Sequence, residues 1–66
     1  MNVYFARVTI QNPLIADVPY PTYATIEAVN ETEAKGRFIK YLQEAYGKCR
    51  EVHVDLKSII IYPFIR

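Results

Sequence analysis

The chain has 66 residues, of which 52% are hydrophobic and 23% are charged, and its formal net charge is +1. These values predict one small globular domain over residues 1–66, and they argue against both an acidic nucleic-acid mimic and a strongly basic nucleic-acid binder. The single cysteine rules out an internal disulfide, and no stretch approaches the ~20 apolar residues of a membrane span, so we expect a cytoplasmic protein without membrane contact.

The chain begins with a predicted strand over Asn2–Gln11, in which successive side chains point to opposite faces. One face is uniformly apolar and is expected to pack against a helix; it comprises Tyr4, Ala6, Val8 and Ile10. The other face includes polar side chains and is expected to be at least partly wet; it comprises Val3, Phe5, Arg7 and Thr9.

Residues 12–22 are predicted to form a loop because three prolines interrupt this stretch. The loop is longer than the 2–5 residues that usually join a hairpin. Its apolar side chains either fold back over the sheet edge or bind a partner; they are Leu14, Ile15, Val18 and Tyr20.

Residues 23–29 are predicted to form a second strand. Its helix-facing side is small and apolar, which leaves room for bulky helix side chains, and comprises Ala24, Ile26 and Ala28. The side facing away from the helix comprises Tyr23, Thr25 and Glu27.

A helix is predicted over residues 31–46. The side chain of Asn30 can accept a hydrogen bond from the amides of the first turn, and Glu33 three residues later fits a capping box. Gly47 is predicted to end the helix in a left-handed conformation. The apolar stripe expected to face the sheet comprises Ala34, Phe38, Tyr41, Leu42 and Ala45.

The segment after the helix leaves two alternatives open. Residues 51–64 form either one long strand, with or without a bulge, that becomes buried on both faces near its end, or one strand followed by a turn near residues 55–58 and a short fourth strand. One long strand is favoured, because Lys57-Ser58 lacks the Gly or Asn of a tight turn. Alternation places Val52, Val54 and Leu56 toward the helix and, on the opposite face, His53, Asp55, Ile59 and Ile61.

The predicted fold is therefore α+β. Its elements follow the order β-β-α-β, with an antiparallel three-stranded sheet in the order 2-1-3 and one helix on one face. The second face of the sheet stays open in this arrangement, so its side chains are available to a partner.

Catalytic, metal and nucleotide motifs are missing from the sequence. His53 and Asp55 lie two residues apart, but a catalytic site needs further groups fixed beside them. Cys49 and His53 supply too few ligands for a zinc site. We therefore expect no enzymatic activity, no cofactor and no bound metal.

Surplus apolar surface on the open face, on the loop and on the last strand predicts a protein-binding function, with a homodimer as one form of it. The predicted contact residues are Phe5, Arg7, Leu14, Ile15, Tyr20 and Tyr23. Two alternatives stay open. The aromatic rings and Arg7 suit single-stranded nucleic acid, which is not favoured, and the apolar surface also suits a small self-assembling structural subunit.

Residues 25–35 (TIEAVNETEAK), followed by a helix with aromatic side chains and then a strand, resemble a pattern in small β-β-α-β accessory proteins encoded by phages, among them some anti-CRISPR proteins. The archaeal ribosomal protein LX is similar in outline. The phage resemblance implies a protein that inhibits or adapts a larger host protein in the host cytoplasm. It implies no particular functional residue.

Overall fold

A computed structural model describes residues 1–64 of the protein. Its elements are, in chain order, β1 (Asn2–Gln11), β2 (Tyr20–Ala28), α1 (Glu31–Tyr46) and β3 (His53–Pro63). The central strand β1 pairs antiparallel with both β2 and β3, so the sheet order is β2-β1-β3. The predicted α+β fold, strand order and helix bounds are confirmed.

Strand β2 begins at Tyr20, three residues before its predicted start, and the loop is correspondingly shorter. Pro21 was expected to lie in the loop, but it pairs with Thr9 inside the sheet. The physical reason is that β2 is an edge strand, where a missing backbone donor costs no ladder hydrogen bond.

The core lies between α1 and one face of the sheet. It contains two groups of buried side chains, the larger comprising Ala6, Val8, Ile10, Phe38 and Leu42 and the smaller Tyr4, Ala28 and Ala34. Phe38 is fully buried, and truncating such a ring to alanine costs about 3–5 kcal/mol. That cost is comparable with the roughly 3–10 kcal/mol of total stability expected for a domain of this size.

The start of α1 is capped as the sequence predicts. The Oδ1 atom of Asn30 accepts the Glu33 N–H at 2.8 Å. In return Glu33 Oε1 accepts the N–H of Val29 at 3.3 Å, one residue before the usual partner of a capping box. The same carboxylate forms an ion pair with Arg37 at 3.2 Å, so one acidic side chain links the cap to the second helical turn.

The buried stripe of α1 is narrower than predicted. Residues spaced by four face the sheet, namely Ala34, Phe38 and Leu42, and half-buried Tyr46 continues the row. Tyr41 and Ala45 were predicted in this stripe but are exposed, Tyr41 to 50%. A three-stranded sheet is only about 10–15 Å wide, which is too narrow to cover the Tyr41 ring. That ring lies beside the edge of the sheet and stacks on Phe38, with 6.4 Å between the ring centroids.

The predicted left-handed end of the helix is wrong. Gly47 has φ −60° and ψ −21°, which is right-handed backbone, and its N–H donates to the Gln43 carbonyl oxygen at 2.9 Å. A Cβ atom at position 47 would collide with that same oxygen. Glycine is therefore required by the close approach of two backbone segments and not by the sign of φ.

Strand β3 is one strand with a bulge, as favoured above. Thr9 pairs with Asp55, and Arg7 pairs with Ile60. Between these two pairs β1 advances by two residues and β3 by five, so β3 carries three extra residues. An odd number of extra residues reverses the alternation of side chains beyond the bulge.

The reversal corrects three predicted orientations. Ile59 and Ile61 were expected on the open face, but both pack against the core. Ile60 and Tyr62 pair with open-face residues of β1 instead. Leu56 was expected to point inward, but it lies in the bulge and is 49% exposed.

Candidate protein-binding face

The open sheet face is the side of the sheet opposite α1. It comprises Val3, Phe5, Arg7, Thr9 and Gln11 of β1, Pro21, Tyr23, Thr25 and Glu27 of β2, and His53, Asp55, Ile60 and Tyr62 of β3, where His53 and Asp55 were predicted. Its large side chains are well exposed, with Tyr23 at 52%, Ile60 at 43% and Tyr62 at 41%. Each strand therefore contributes at least one large apolar or aromatic side chain to a surface in contact with solvent.

Three of these side chains form an aromatic cluster, which we define as Phe5, Tyr23 and Tyr62. The Phe5 ring lies in the middle, with ring centroids 5.3 Å from Tyr23 and 6.4 Å from Tyr62 and interplanar angles of 30° and 41°. The sheet register explains this placement, because Phe5 pairs directly with Tyr62 and lies diagonal to Tyr23, which pairs with Arg7. These separations lie within the favourable range for aromatic pairs, so the cluster is preformed.

Opposite charges flank the aromatic cluster. Arg7 lies two residues from Phe5 along β1, and Glu27 pairs with Val3, two residues from Phe5 in the other direction. About 13 Å of strand separates the Arg7 and Glu27 positions, so the two charges cannot pair within one chain. Within residues 1–64 the one ion pair joins Arg37 to Glu33, so neither Arg7 nor Glu27 is neutralised there.

The structure brings together three of the six predicted contact residues. Phe5, Arg7 and Tyr23 are neighbours on the open sheet face. Tyr20 pairs with Ile10 and packs against the core, so it lies on the helix side of the sheet.

The other two predicted contacts, Leu14 and Ile15, lie on the loop between β1 and β2. Six strand residues, or about 20 Å, separate Phe5 from the end of β1 where this loop begins. The predicted contacts are therefore divided among three places on the molecule.

The sequence prediction missed Tyr62, the third ring of the aromatic cluster. Strict alternation from Val52 onward places Tyr62 toward the helix, and only the odd number of extra residues in β3 turns it outward. The available signal was local. Asp55 and Ser58 have side chains that bond to nearby backbone, a property that favours an irregularity in a strand.

The loop over residues 12–19 presents a second group of apolar side chains. Asn12 is buried and holds the loop, since its Oδ1 accepts the Leu14 N–H at 3.1 Å and its carbonyl oxygen accepts the N–H groups of Ile15 and Ala16. Leu14 and Ile15 are each 73% exposed, and Val18 is 66% exposed. The backbone of the loop is thus tied by polar contacts while its apolar side chains face water.

The pair considered for catalysis in the sequence, His53 and Asp55, lies beside the bulge of β3. His53 and Asp55 line a pocket of about 260 Å³ with Thr9, Gln11 and Pro19. The Asp55 carboxylate accepts the Lys57 N–H at 3.1 Å, which uses one of its oxygens to shape the bulge. Over residues 1–64, no three His, Cys, Asp or Glu side chains are grouped so that they could hold a metal ion.

An apolar groove lies between the end of α1 and the start of β3. It encloses about 220 Å³ and is lined mainly by Leu42, Tyr46, Cys49, Val52, Val54 and Leu56.

The helix α1 is neither long nor apolar enough to cross a membrane, and it is the one helix among the described residues.

Comparison of the chain with protein-family models, with curated proteins and with solved structures found no significant match. The resemblance to small phage-encoded accessory proteins therefore stays a prediction from the pattern of residues 25–35.

Proposed function

We propose that this chain is a non-enzymatic protein-binding module and that its open sheet face is the binding surface. The observation that carries the proposal is the aromatic cluster, because three rings from three strands are held against each other while Tyr23 and Tyr62 stay about half exposed. Aromatic side chains are enriched at the centres of protein interfaces and among the residues that dominate binding energy.

The rigidity of the face favours binding. Phe5, Tyr23 and Tyr62 sit on paired strands rather than on a loop, so little conformational entropy is lost when a partner orders them. Each tyrosine also carries a hydroxyl group that can donate a hydrogen bond to the partner while the ring supplies apolar area.

The charges of the face favour a protein over a polyanion. Arg7 and Glu27 have opposite signs and flank the cluster on opposite sides. A partner that presents one acidic and one basic group at matching positions gains from both, whereas a nucleic acid is attracted by Arg7 and repelled by Glu27. The phage-type resemblance extends the proposal to an accessory protein that blocks or adapts a host protein.

A pull-down with matched variants tests this function. The chain is immobilised as wild type, as the double variant Phe5→Ala/Tyr23→Ala, and as Tyr41→Ala, and is exposed to bacterial lysate to which an epitope-tagged copy of the same chain has been added. Tyr41 is the control because its exposure of 50% matches the 52% of Tyr23 while it lies on α1, away from the open face.

We expect wild type and Tyr41→Ala to recover the same protein and the double variant to lose it. Circular dichroism shows whether each variant is folded. Equal recovery of every protein by all three folded variants would contradict the assignment of the open sheet face as the binding surface.

Single-stranded nucleic acid is the second candidate, and the aromatic cluster is the observation that favours it. Bases stack on exposed rings of a sheet, and Arg7 can contact a phosphate. Binding of oligothymidylate would then weaken with salt, and removal of the Arg7 charge by Arg7→Gln would lower the slope of that dependence by roughly 0.7. Absence of binding at low salt eliminates this candidate.

A further inference from the structure

We propose that the occupant of the open sheet face is a second copy of this chain, packed face to face in a two-fold symmetric dimer. The inference rests on the proposed function, because it assumes that this face binds a protein and then names which protein. In such a dimer the two sheets form the inner layers and each α1 lies on the outside.

The area of the face restricts how two copies pack. Strands of 9–11 residues in a three-stranded sheet give a flat outline of roughly 400 Å² per copy, and a stable interface buries about 800 Å² of accessible surface per partner. Protruding side chains raise the accessible area above the flat outline, so the two copies need to overlap over most of the face. Orthogonal sheets overlap over roughly half of that outline, so we infer the aligned packing in which strands cross at about −30°.

The placement of the two-fold axis follows from the side chains. We place the axis between the two sheets and perpendicular to the strands, along the row of Thr25, Phe5 and Tyr62. Phe5, at the centre of the aromatic cluster, then faces Phe5 of the partner subunit. The axis cannot pass through the row of Arg7, because two guanidinium groups would then face each other. The Phe5 row therefore buries the most aromatic surface without opposing like charges.

This axis pairs Arg7 with Glu27, the two charges that flank the aromatic cluster. Arg7 and Val3 lie two residues on either side of Phe5, so the rotation places Arg7 over Val3 of the partner subunit. Glu27 of the partner subunit lies on the neighbouring strand, directly beside that Val3. With the sheets about 10 Å apart, both long side chains reach across the interface, and the symmetry creates two such ion pairs per dimer.

The same geometry leaves the loop free. The partner sheet covers equal lengths of β1 before and after Phe5. Because β1 begins at Asn2, the covered part ends near Thr9 on the other side. Leu14 and Ile15 lie beyond the end of β1 and stay exposed in the dimer. The dimer therefore carries two copies of a second apolar surface, one at each end.

Sedimentation equilibrium with charge-swap variants tests this dimer. Wild type is expected to show twice the 7.7 kDa mass of one chain. Arg7→Glu places two acidic groups together across the interface, and Glu27→Arg places two basic groups together, so each single swap raises the dimer dissociation constant at least about tenfold. The double variant Arg7→Glu/Glu27→Arg restores opposite charges and the wild-type affinity within a factor of about three.

Lys40→Glu is the matched control. It changes the charge by the same amount as Arg7→Glu but lies exposed on α1, away from the open face, and is expected to leave the dissociation constant unchanged. Circular dichroism verifies that each variant is folded.

The possible failures are distinguishable. A wild-type chain that stays monomeric at millimolar concentration overturns the dimer, and the pull-down with the Phe5 and Tyr23 variants then still decides whether the face binds another protein. A dimer that is indifferent to the swaps, or that the double variant fails to restore, overturns the proposed Arg7–Glu27 pairing and with it this arrangement.

Discussion

The hydroxyl oxygen of Ser58 accepts a hydrogen bond from the backbone N–H of Thr9 at 2.8 Å, and the same hydroxyl donates to the Asp55 carbonyl oxygen at 2.7 Å. Thr9 lies where β3 bulges away from β1, so its N–H faces a side chain instead of a backbone carbonyl. The Asp55 carboxylate in turn accepts the Lys57 N–H at 3.1 Å. The bulge is therefore held by side chains of its own sequence, as expected for a built feature of a sheet.

Removal of the Ser58 hydroxyl is expected to destabilise the protein. Ser58→Ala leaves the partly buried Thr9 N–H without its acceptor, and an orphaned group of this kind costs about 1–3 kcal/mol. Urea denaturation followed by circular dichroism measures the change in the free energy of unfolding. Thr32→Ala is the control, because it removes an exposed hydroxyl from α1; an equal loss in both variants contradicts the role given to Ser58.

Deletions within the bulge are expected to act according to their parity. Removing residues 56–58 joins Asp55 to Ile59, which keeps Ile59 and Ile61 on the core side and Tyr62 on the open face. Removing only residues 57–58 reverses those orientations, which moves Ile59 and Ile61 out of the core and brings Ile60 and Tyr62 into it. The exchange leaves the core with one isoleucine fewer and a tyrosine hydroxyl to accommodate, so the shorter deletion should cost about 1.5–3 kcal/mol more than the longer one.

Thermal denaturation of the two deletion variants checks this order. The variant lacking three residues is expected to unfold in a cooperative transition, and the variant lacking two is expected to unfold at a lower temperature. If the two-residue deletion is the more stable variant, the extra residues of β3 do not set the facing of its side chains.

Most of the architecture could be predicted because each part has its own periodic signal. The alternation in β1, the cap at Asn30 and the four-residue spacing of Ala34, Phe38 and Leu42 all point to one arrangement, and the structure has it. The strand order follows from the direct connection of β1 to β2, with no helix between them, and from the return of the chain through α1.

The remaining features depend on contacts between distant parts of the chain. Asp55 and Ser58 favour an irregularity in β3, but its length and its place along β1 depend on the contact of Ser58 with Thr9, 49 positions away. The exposure of Tyr41 depends on the width of the sheet, which the helix sequence does not encode. The composition of the aromatic cluster was incomplete for the same reason, since Tyr62 faces outward only when the bulge is present.

Substitution by alanine is expected to change the stability in opposite directions at Gly36, inside α1, and at Gly47, at its end. A Cβ atom at Gly36 meets no heavy atom within 4 Å, and alanine favours a helix over glycine, so Gly36→Ala should stabilise the protein by about 0.5–1 kcal/mol. Gly47→Ala forces a Cβ atom onto the Gln43 carbonyl oxygen and should destabilise it. Chemical denaturation of both variants in parallel gives the signs, and a stabilising Gly47→Ala would show that the backbone there is free to relax.

Tyr46 gives the protein an expected sensitivity to alkaline pH. Burial raises the pKa of its phenol above the usual value of 10.0, and repulsion from the neighbouring phenols of Tyr20 and Tyr41 raises it further. The folded state therefore binds the phenol proton of Tyr46 more tightly than the unfolded state does. Its contribution is complete below the unfolded pKa and is lost as the pH rises through the folded pKa, so stability should fall above about pH 10.

Tyr46→Phe removes this ionisation while keeping the ring that packs on the core. The variant is expected to lose less stability than wild type between neutral and strongly alkaline pH, so the difference between the two unfolding free energies should shift in favour of the variant as the pH rises. Urea denaturation at several pH values measures that difference. Tyr23 is 52% exposed and is not among the phenols that raise the pKa of Tyr46, so Tyr23→Phe serves as the control. A pH dependence altered equally by both substitutions would mean that the half-buried position of Tyr46 is not what couples its proton to folding.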